Sequence, residues 1–126
     1  MRFTGAVPPD RVAAALADLD VACAPYPAEA GFYFSPLKVY EYLAAGLPVV
    51  ASAVGQVPDA LAFGGLGRLV PPGDPAALAD GLRVARRDLG WRRRMRHEAR
   101  AAAEQRHTWT SVVERTLDLL GRQVAA

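Results

Sequence analysis

The 126-residue chain has one cysteine, one lysine and no proline after Pro75. A lone Cys23 excludes an internal disulfide and a cysteine-ligated metal site. Within the apolar run VACAP it reads as a small buried hydrophobe. No apolar run reaches the roughly 18 residues that a membrane-spanning helix needs. The opening MRFTGAVPPD has no apolar core of signal-peptide length. With 52% apolar and 22% charged residues, the composition excludes a disordered chain. The length fits one domain and is too short for a two-domain enzyme. A single cytoplasmic domain over residues 1–126 is therefore the expectation.

What is present is unevenly distributed. Alanine supplies 25 residues and arginine 14 of the 15 basic ones. Residues 1–82 carry a net charge of −4, and residues 83–126 carry +6. The first part alternates short apolar runs with amphipathic stretches. FTGAV (3–7), 21–25, 48–52 and 67–70 read as strands, the middle two as continuous apolar runs of the kind buried on both faces of a parallel sheet. Helices are expected over 10–20, 35–46 and 58–63. Asp74 and Pro75 read as the N-cap and first position of a helix to Asp88. Two more helices are expected at about 90–106 and 109–124, with breaks near Gly90 and His107-Thr108. Strands alternating with helices imply right-handed crossovers and a Rossmann-like parallel sheet of about four strands, followed by a helical tail.

Ligands of open α/β sheets bind outside the carboxyl ends of the strands, where residues 26–35, 53–57 and 71–74 form the loops. The first loop runs into the helix for which Ser35 is a good N-cap, Pro36 a good first residue and Gly46 a left-handed C-cap. Lys38, in the first turn, opposes the helix dipole, at a cost of some tenths of a kcal/mol. An anion at this helix end would account for it, phosphate being the natural one. A solvated lysine fits the sequence equally well. Glu41 follows one turn later on the same face. It is either an ion-pair partner of Lys38 or an acceptor for ligand hydroxyls such as a ribose diol.

The run FYFSPLKVYEYLAAGLPVVAS (32–52) resembles the donor-binding segment of family 4, GT-B-fold glycosyltransferases. The resemblance continues through FTG, DVACAP (20–25), GQVPD (55–59), GRLVPPGDP (67–75) and the closing RRxM…HTW pattern. It implies a retaining enzyme that transfers a hexose from a nucleotide diphosphate sugar without a metal or other cofactor. Ser35, Pro36, Leu37 and Lys38 would lie at the diphosphate. Glu41 would be the second glutamate of the family's E-x7-E motif, on the ribose. The position of the first glutamate is Tyr33 here. Tyr33, Phe34 and the neighbouring loop residue Glu29 are the candidate contacts to the transferred sugar. No catalytic residue is assigned. The resemblance also implies that the N-terminal acceptor domain and the first strands of the donor domain are missing, so that these residues alone do not turn over. The alternative is an inactive, truncated domain that assembles with a partner or with itself.

The segment 83–106 holds nine arginines, spread around the helical wheel and read as a solvated surface. Peripheral contact with the inner face of a membrane is the secondary reading, since many relatives act on lipid-linked acceptors. No motif supports a nucleic-acid partner. His97 and His107 read as structural or surface residues and Trp91 and Trp109 as packing anchors, while Tyr26, Phe32, Tyr33 and Phe34 either pack beneath their loop or supply one residue to line the donor pocket.

Overall fold

A computed structural model describes residues 3–29 and 35–124. Its elements in chain order are α1 (Pro9–Ala17), β1 (Ala22–Ala24), α2 (Leu37–Ala44), β2 (Val49–Ser52), α3 (Val57–Ala60), β3 (Gly67–Val70), α4 (Pro75–Arg87), α5 (Leu89–Arg106) and α6 (Trp109–Val124). The strands form one parallel sheet in the order β1-β2-β3. Val49 pairs with Ala22 on one side and Gly67 on the other. The α/β class and parallel topology agree with the sequence reading.

The central strand β2 is buried throughout. Its alternate residues serve two cores, as the period of two requires. Val49 and Ala51 join Ala24, Val39, Leu43, Leu61, Ala99 and Ala103 beneath α2, α3 and α5. Val50 joins Val70 and Ala85 beneath α4, with Trp91 packed alongside. Burying each large aliphatic side chain contributes about 1.5–3 kcal/mol. Eight residues of two cores are therefore set by one four-residue strand and its neighbours.

The helix termini follow local chemistry. The Asp74 carboxylate accepts from the Ala77 N–H at 2.8 Å, and Pro75 opens α4, as the sequence indicates. Gly46 adopts φ +67°. The Leu47 N–H then reaches the Tyr42 carbonyl at 2.9 Å, closing α2 in a Schellman arrangement.

Several expectations are corrected. FTGAV forms no strand: Gly5 turns at φ +68° and the run is largely exposed. Three strands form among the described residues, against an expectation of about four. Residue Cys23 is exposed, not buried. It lies on the face that α4 covers, but α4 packs only on β2 and β3, so β1 is bare there. The α2 helix begins at Leu37, one residue later than Pro36, because Pro36 takes a non-helical ψ of 59°. Pro36 is the N-cap, and no side chain, Ser35's included, caps this end. The α3 helix ends at Ala60, not Phe63, since Ala62 and Phe63 take left-handed backbone. The break between α4 and α5 falls at Asp88, not Gly90, because the Asp88 carboxylate caps α5 by accepting from the Trp91 N–H at 2.7 Å.

The arginine-rich segment is not simply a solvated face. Arg92 donates to the Arg86 carbonyl at the end of α4, at 3.0 Å. Arg96 donates to the Leu19 carbonyl after α1, at 2.9 Å, and Arg100 to the Ala44 carbonyl that ends α2. Arg115 donates to the Arg106 carbonyl that ends α5, at 2.9 Å. The Arg92, Arg100 and Arg115 guanidinium groups satisfy carbonyls that a helix end leaves open and sit at the negative pole of its dipole. Trp109 is 85% exposed, which overturns its reading as a packing anchor. It opens α6, whose Val112, Val113, Leu117, Leu119 and Leu120 also face solvent.

Gly67 marks a tight point in the sheet. A Cβ there would lie 2.8 Å from the Val49 carbonyl oxygen and 3.2 Å from both Leu61 methyls. The carbonyl belongs to the central strand and cannot retreat. Gly67→Ala is expected to destabilise the fold by about 1–3 kcal/mol, the usual cost of overpacking a filled core, as read by urea unfolding. An unchanged unfolding midpoint would refute this account of the β2–β3 contact.

Candidate functional site

Three loops leave the carboxyl ends of the strands, and Tyr26 ties them together. Its N–H donates to the Ser52 hydroxyl at the end of β2, at 3.0 Å. Its carbonyl accepts from the Gly73 N–H in the loop after β3, also at 3.0 Å. Ser52 is a buried polar residue, and a buried hydrogen bond of this kind is costly to leave half-made. Gly73, at φ +69°, allows the close approach: a Cβ there would sit 3.2 Å from the backbone nitrogen and Cβ of Ala28. Tyr26, Ser52, Gly73 and Asp74 line a concavity of about 260 Å³ at this edge of the sheet.

Tyr26 is itself buried. Burial, and secondarily the neighbouring Tyr42, pushes its phenol above the usual value of 10.0, so that the ring stays neutral at ordinary pH. Lys38, on the first turn of α2, places its Nζ over this ring, 4.5 Å from the centroid. Among the described residues Lys38 and Glu41 form no ion pair. The sequence alternative in which they neutralise one another is therefore not the arrangement adopted.

At the start of α2 the Leu37 N–H turns back on the Ser35 carbonyl at 2.8 Å, and the Val39 N–H on the Pro36 carbonyl at 2.8 Å. These donors are engaged within the chain. The Lys38 ammonium is thus the prominent positive group at this helix end. Leu37 is exposed and Pro36 buried. Glu41 is exposed one turn along. It borders a cleft of about 530 Å³ shared with Val12 and Leu16 of α1 and Arg100 of α5. Its other flank borders a second concavity of about 420 Å³, walled by Leu37, Tyr40, His107, Trp109 and Arg115. Glu29 is exposed in the loop after β1. Phe32, Tyr33 and Phe34 lie outside the described residues. The structure thus joins Lys38 to Tyr26, Ser52 and Gly73. Of these, the sequence reading offers Lys38 for phosphate contact and Tyr26 as one of four aromatics able to line the pocket, but neither Ser52 nor Gly73. A serine ending an apolar strand was the available signal for Ser52. Nothing local marks Gly73 as its partner across the loop.

The layout defines a class: an open parallel α/β domain with a helix-borne cation and carboxylate at the carboxyl edge of the sheet. Residues 1–88 match the family described as glycosyl transferases group 1, and the chain belongs to that family. The resemblance seen in the sequence is thereby confirmed. Over 117 residues the chain is 38% identical to a phosphatidyl-myo-inositol mannosyltransferase of Mycobacterium leprae (strain TN). The match takes in 93% of this chain and 30% of that relative, so the chain spans under a third of the relative's length. No helix among the described residues is long and apolar enough to cross a membrane.

His107 sets a pH limit on the α2–α6 junction. Its ring stacks at a tilt on Tyr40 of α2, with centroids 4.8 Å apart. Burial lowers its pKa below the usual 6.5, and the Arg115 and Arg106 guanidinium groups lower it further. The fold prefers the neutral ring, and the unfolded chain binds the proton more readily. This contribution is complete above about pH 6.5 and is lost as pH falls through the lowered value. His107→Phe, which keeps an aromatic ring on Tyr40, should flatten this part of the stability profile. Urea unfolding between pH 7.5 and 5 checks this, and an unaltered slope would count against it.

Proposed function

We propose that this chain supplies the donor-binding part of a retaining, metal-independent hexosyltransferase that uses a nucleotide diphosphate sugar. The carrying observation is the Lys38 ammonium held at the amino end of α2, beside the carboxyl ends of the strands. In this reading the diphosphate lies at Ser35, Pro36, Leu37 and Lys38, and the ribose hydroxyls donate to the Glu41 carboxylate. The positive end of the α2 dipole and the Lys38 charge offset the negative charge that builds on the departing diphosphate, the kind of electrostatic stabilisation that dominates many transfer reactions. Tyr33, Phe34 and Glu29, in the loop leading to that helix, are proposed to meet the transferred sugar. The similarity to a mannosyltransferase makes a mannosyl group the first candidate. The acceptor and the acceptor-side domain come from outside these residues. Cytoplasmic residence and peripheral contact with the inner membrane face remain part of this reading.

Calorimetry with UDP, GDP and ADP should show weak binding of at least one of them. Glu41→Ala should reduce that affinity by about tenfold, hydrogen bonds to charged groups being worth about 1.5–3 kcal/mol and exposure of Glu41 trimming the effect. Absence of binding by all three nucleotides would overturn the reading.

A second reading, a non-enzymatic assembly module, is favoured by one feature. The outer edge of β1 is unpaired among the described residues, and open edges invite pairing. Light scattering that finds a monomer at every concentration would remove it.

A further inference from the structure

The contact between Lys38 and Tyr26 carries more than the charge at the helix end. A lysine side chain is long, flexible and strongly hydrated. On the first turn of α2 the helix dipole repels it. Left to itself, the ammonium would move out into solvent and away from the place where an anion would need it. Instead Nζ lies 4.5 Å from the centroid of the Tyr26 ring, within the range of a cation–π attraction.

The ring is an unusually fixed platform. Tyr26 is 7% exposed, and both its backbone groups are spent, on the Ser52 hydroxyl and the Gly73 N–H. The ring is thus tied to the end of β2 and to the loop after β3, while the lysine rides on α2. An ammonium carries three donors. The ring face occupies one side of it, and the remaining donors are available to anionic oxygens.

We propose that Tyr26 is a positioning residue for diphosphate binding: its ring holds the Lys38 ammonium at the amino end of α2, so that an incoming diphosphate meets a cation already in place. This rests on the donor-binding reading above. It concerns the ring and not the hydroxyl, so Tyr26→Phe keeps the effect and Tyr26→Leu removes it. It also concerns phosphate and not base or sugar, so a nucleoside without phosphates is indifferent to it.

The test is calorimetry on the full 126-residue chain, with UDP, GDP and ADP set against uridine, guanosine and adenosine. Tyr26→Leu should weaken the diphosphate by about threefold to tenfold, in keeping with a partly desolvated cation–π contact, and leave the nucleoside unchanged. Tyr26→Phe should restore the affinity. In a Lys38→Met background Tyr26→Leu should have no further effect. Should Tyr26→Leu fail to fold, phenylalanine analogues with increasing ring fluorination at position 26 carry the same test. They keep the ring's shape while draining its negative face, so affinity for the diphosphate should fall stepwise with fluorination. A flat fluorination series, or equal losses for diphosphate and nucleoside, would overturn the proposal while leaving the donor-binding reading standing. A chain that binds no diphosphate, or whose binding ignores Lys38→Met, would overturn both.

Discussion

The whole arrangement depends on β2 being paired along both edges and buried on both faces. Val49, Val50 and Ala51 meet that constraint, and Ser52 extends the pairing with β3 by one residue. The two edges fix the parallel order of the sheet, and the two faces divide the helices into an α2–α3–α5 layer and an α4 layer. The last residue of the strand then does something the first three do not. Ser52 is buried like them but ends the strand in a hydroxyl, which takes the Tyr26 N–H. The apolar core and the polar site therefore meet in one strand. Tyr26 is where it is because β2 is where it is.

From that point the site follows by short steps. Tyr26 is pinned between the ends of β2 and the loop after β3, and its ring faces the first turn of α2. The lysine that the helix dipole disfavours finds a compensating partner there. Glu41 stands one turn further along, exposed and without an ion pair to Lys38 among the described residues. The arginines of α5 perform the complementary task at the other pole. Arg100 and Arg92 occupy carbonyls at the carboxyl ends of α2 and α4, and Arg96 holds the Leu19 carbonyl in the turn after α1. Positive side chains thus sit at the negative ends of α2, α4 and α5, whereas Lys38 sits at a positive end.

Much of this was legible in the residues. The helix stop at Gly46-Leu47-Pro48, the Asp74 cap and the buried run PVVAS each carry local chemistry that needs no tertiary context. Membership in the glycosyl transferases group 1 was visible in residues 32–52 and their flanks. Less legible were features decided by what covers what. Cys23 sits in an apolar run and is exposed nonetheless, because the helix above the sheet stops short of β1. FTGAV has strand composition but turns at Gly5 and stays largely exposed, unpaired with the sheet. Trp109 looks like an anchor but opens a helix whose apolar side is bare.

The sequence by itself determined the class, the alternation of strands and helices, the family, and the oddity of one lysine among fourteen arginines at a helix start. These depend on patterns within a few residues, which propensity, capping and periodicity decide. The tertiary structure alone decided the partners. It set Lys38 over Tyr26 rather than against Glu41. It spent the α5 arginines on distant carbonyls rather than on water, and it joined Ser52 and Gly73 through the backbone of Tyr26. The pairings of Tyr26 with Lys38, Ser52 and Gly73, and of Arg96 and Arg100 with Leu19 and Ala44, bridge separations of 12 to 77 residues, from Tyr26–Lys38 to Leu19–Arg96. No local preference reaches so far, and only the packing of helices onto a buried strand brings such groups within a few ångströms.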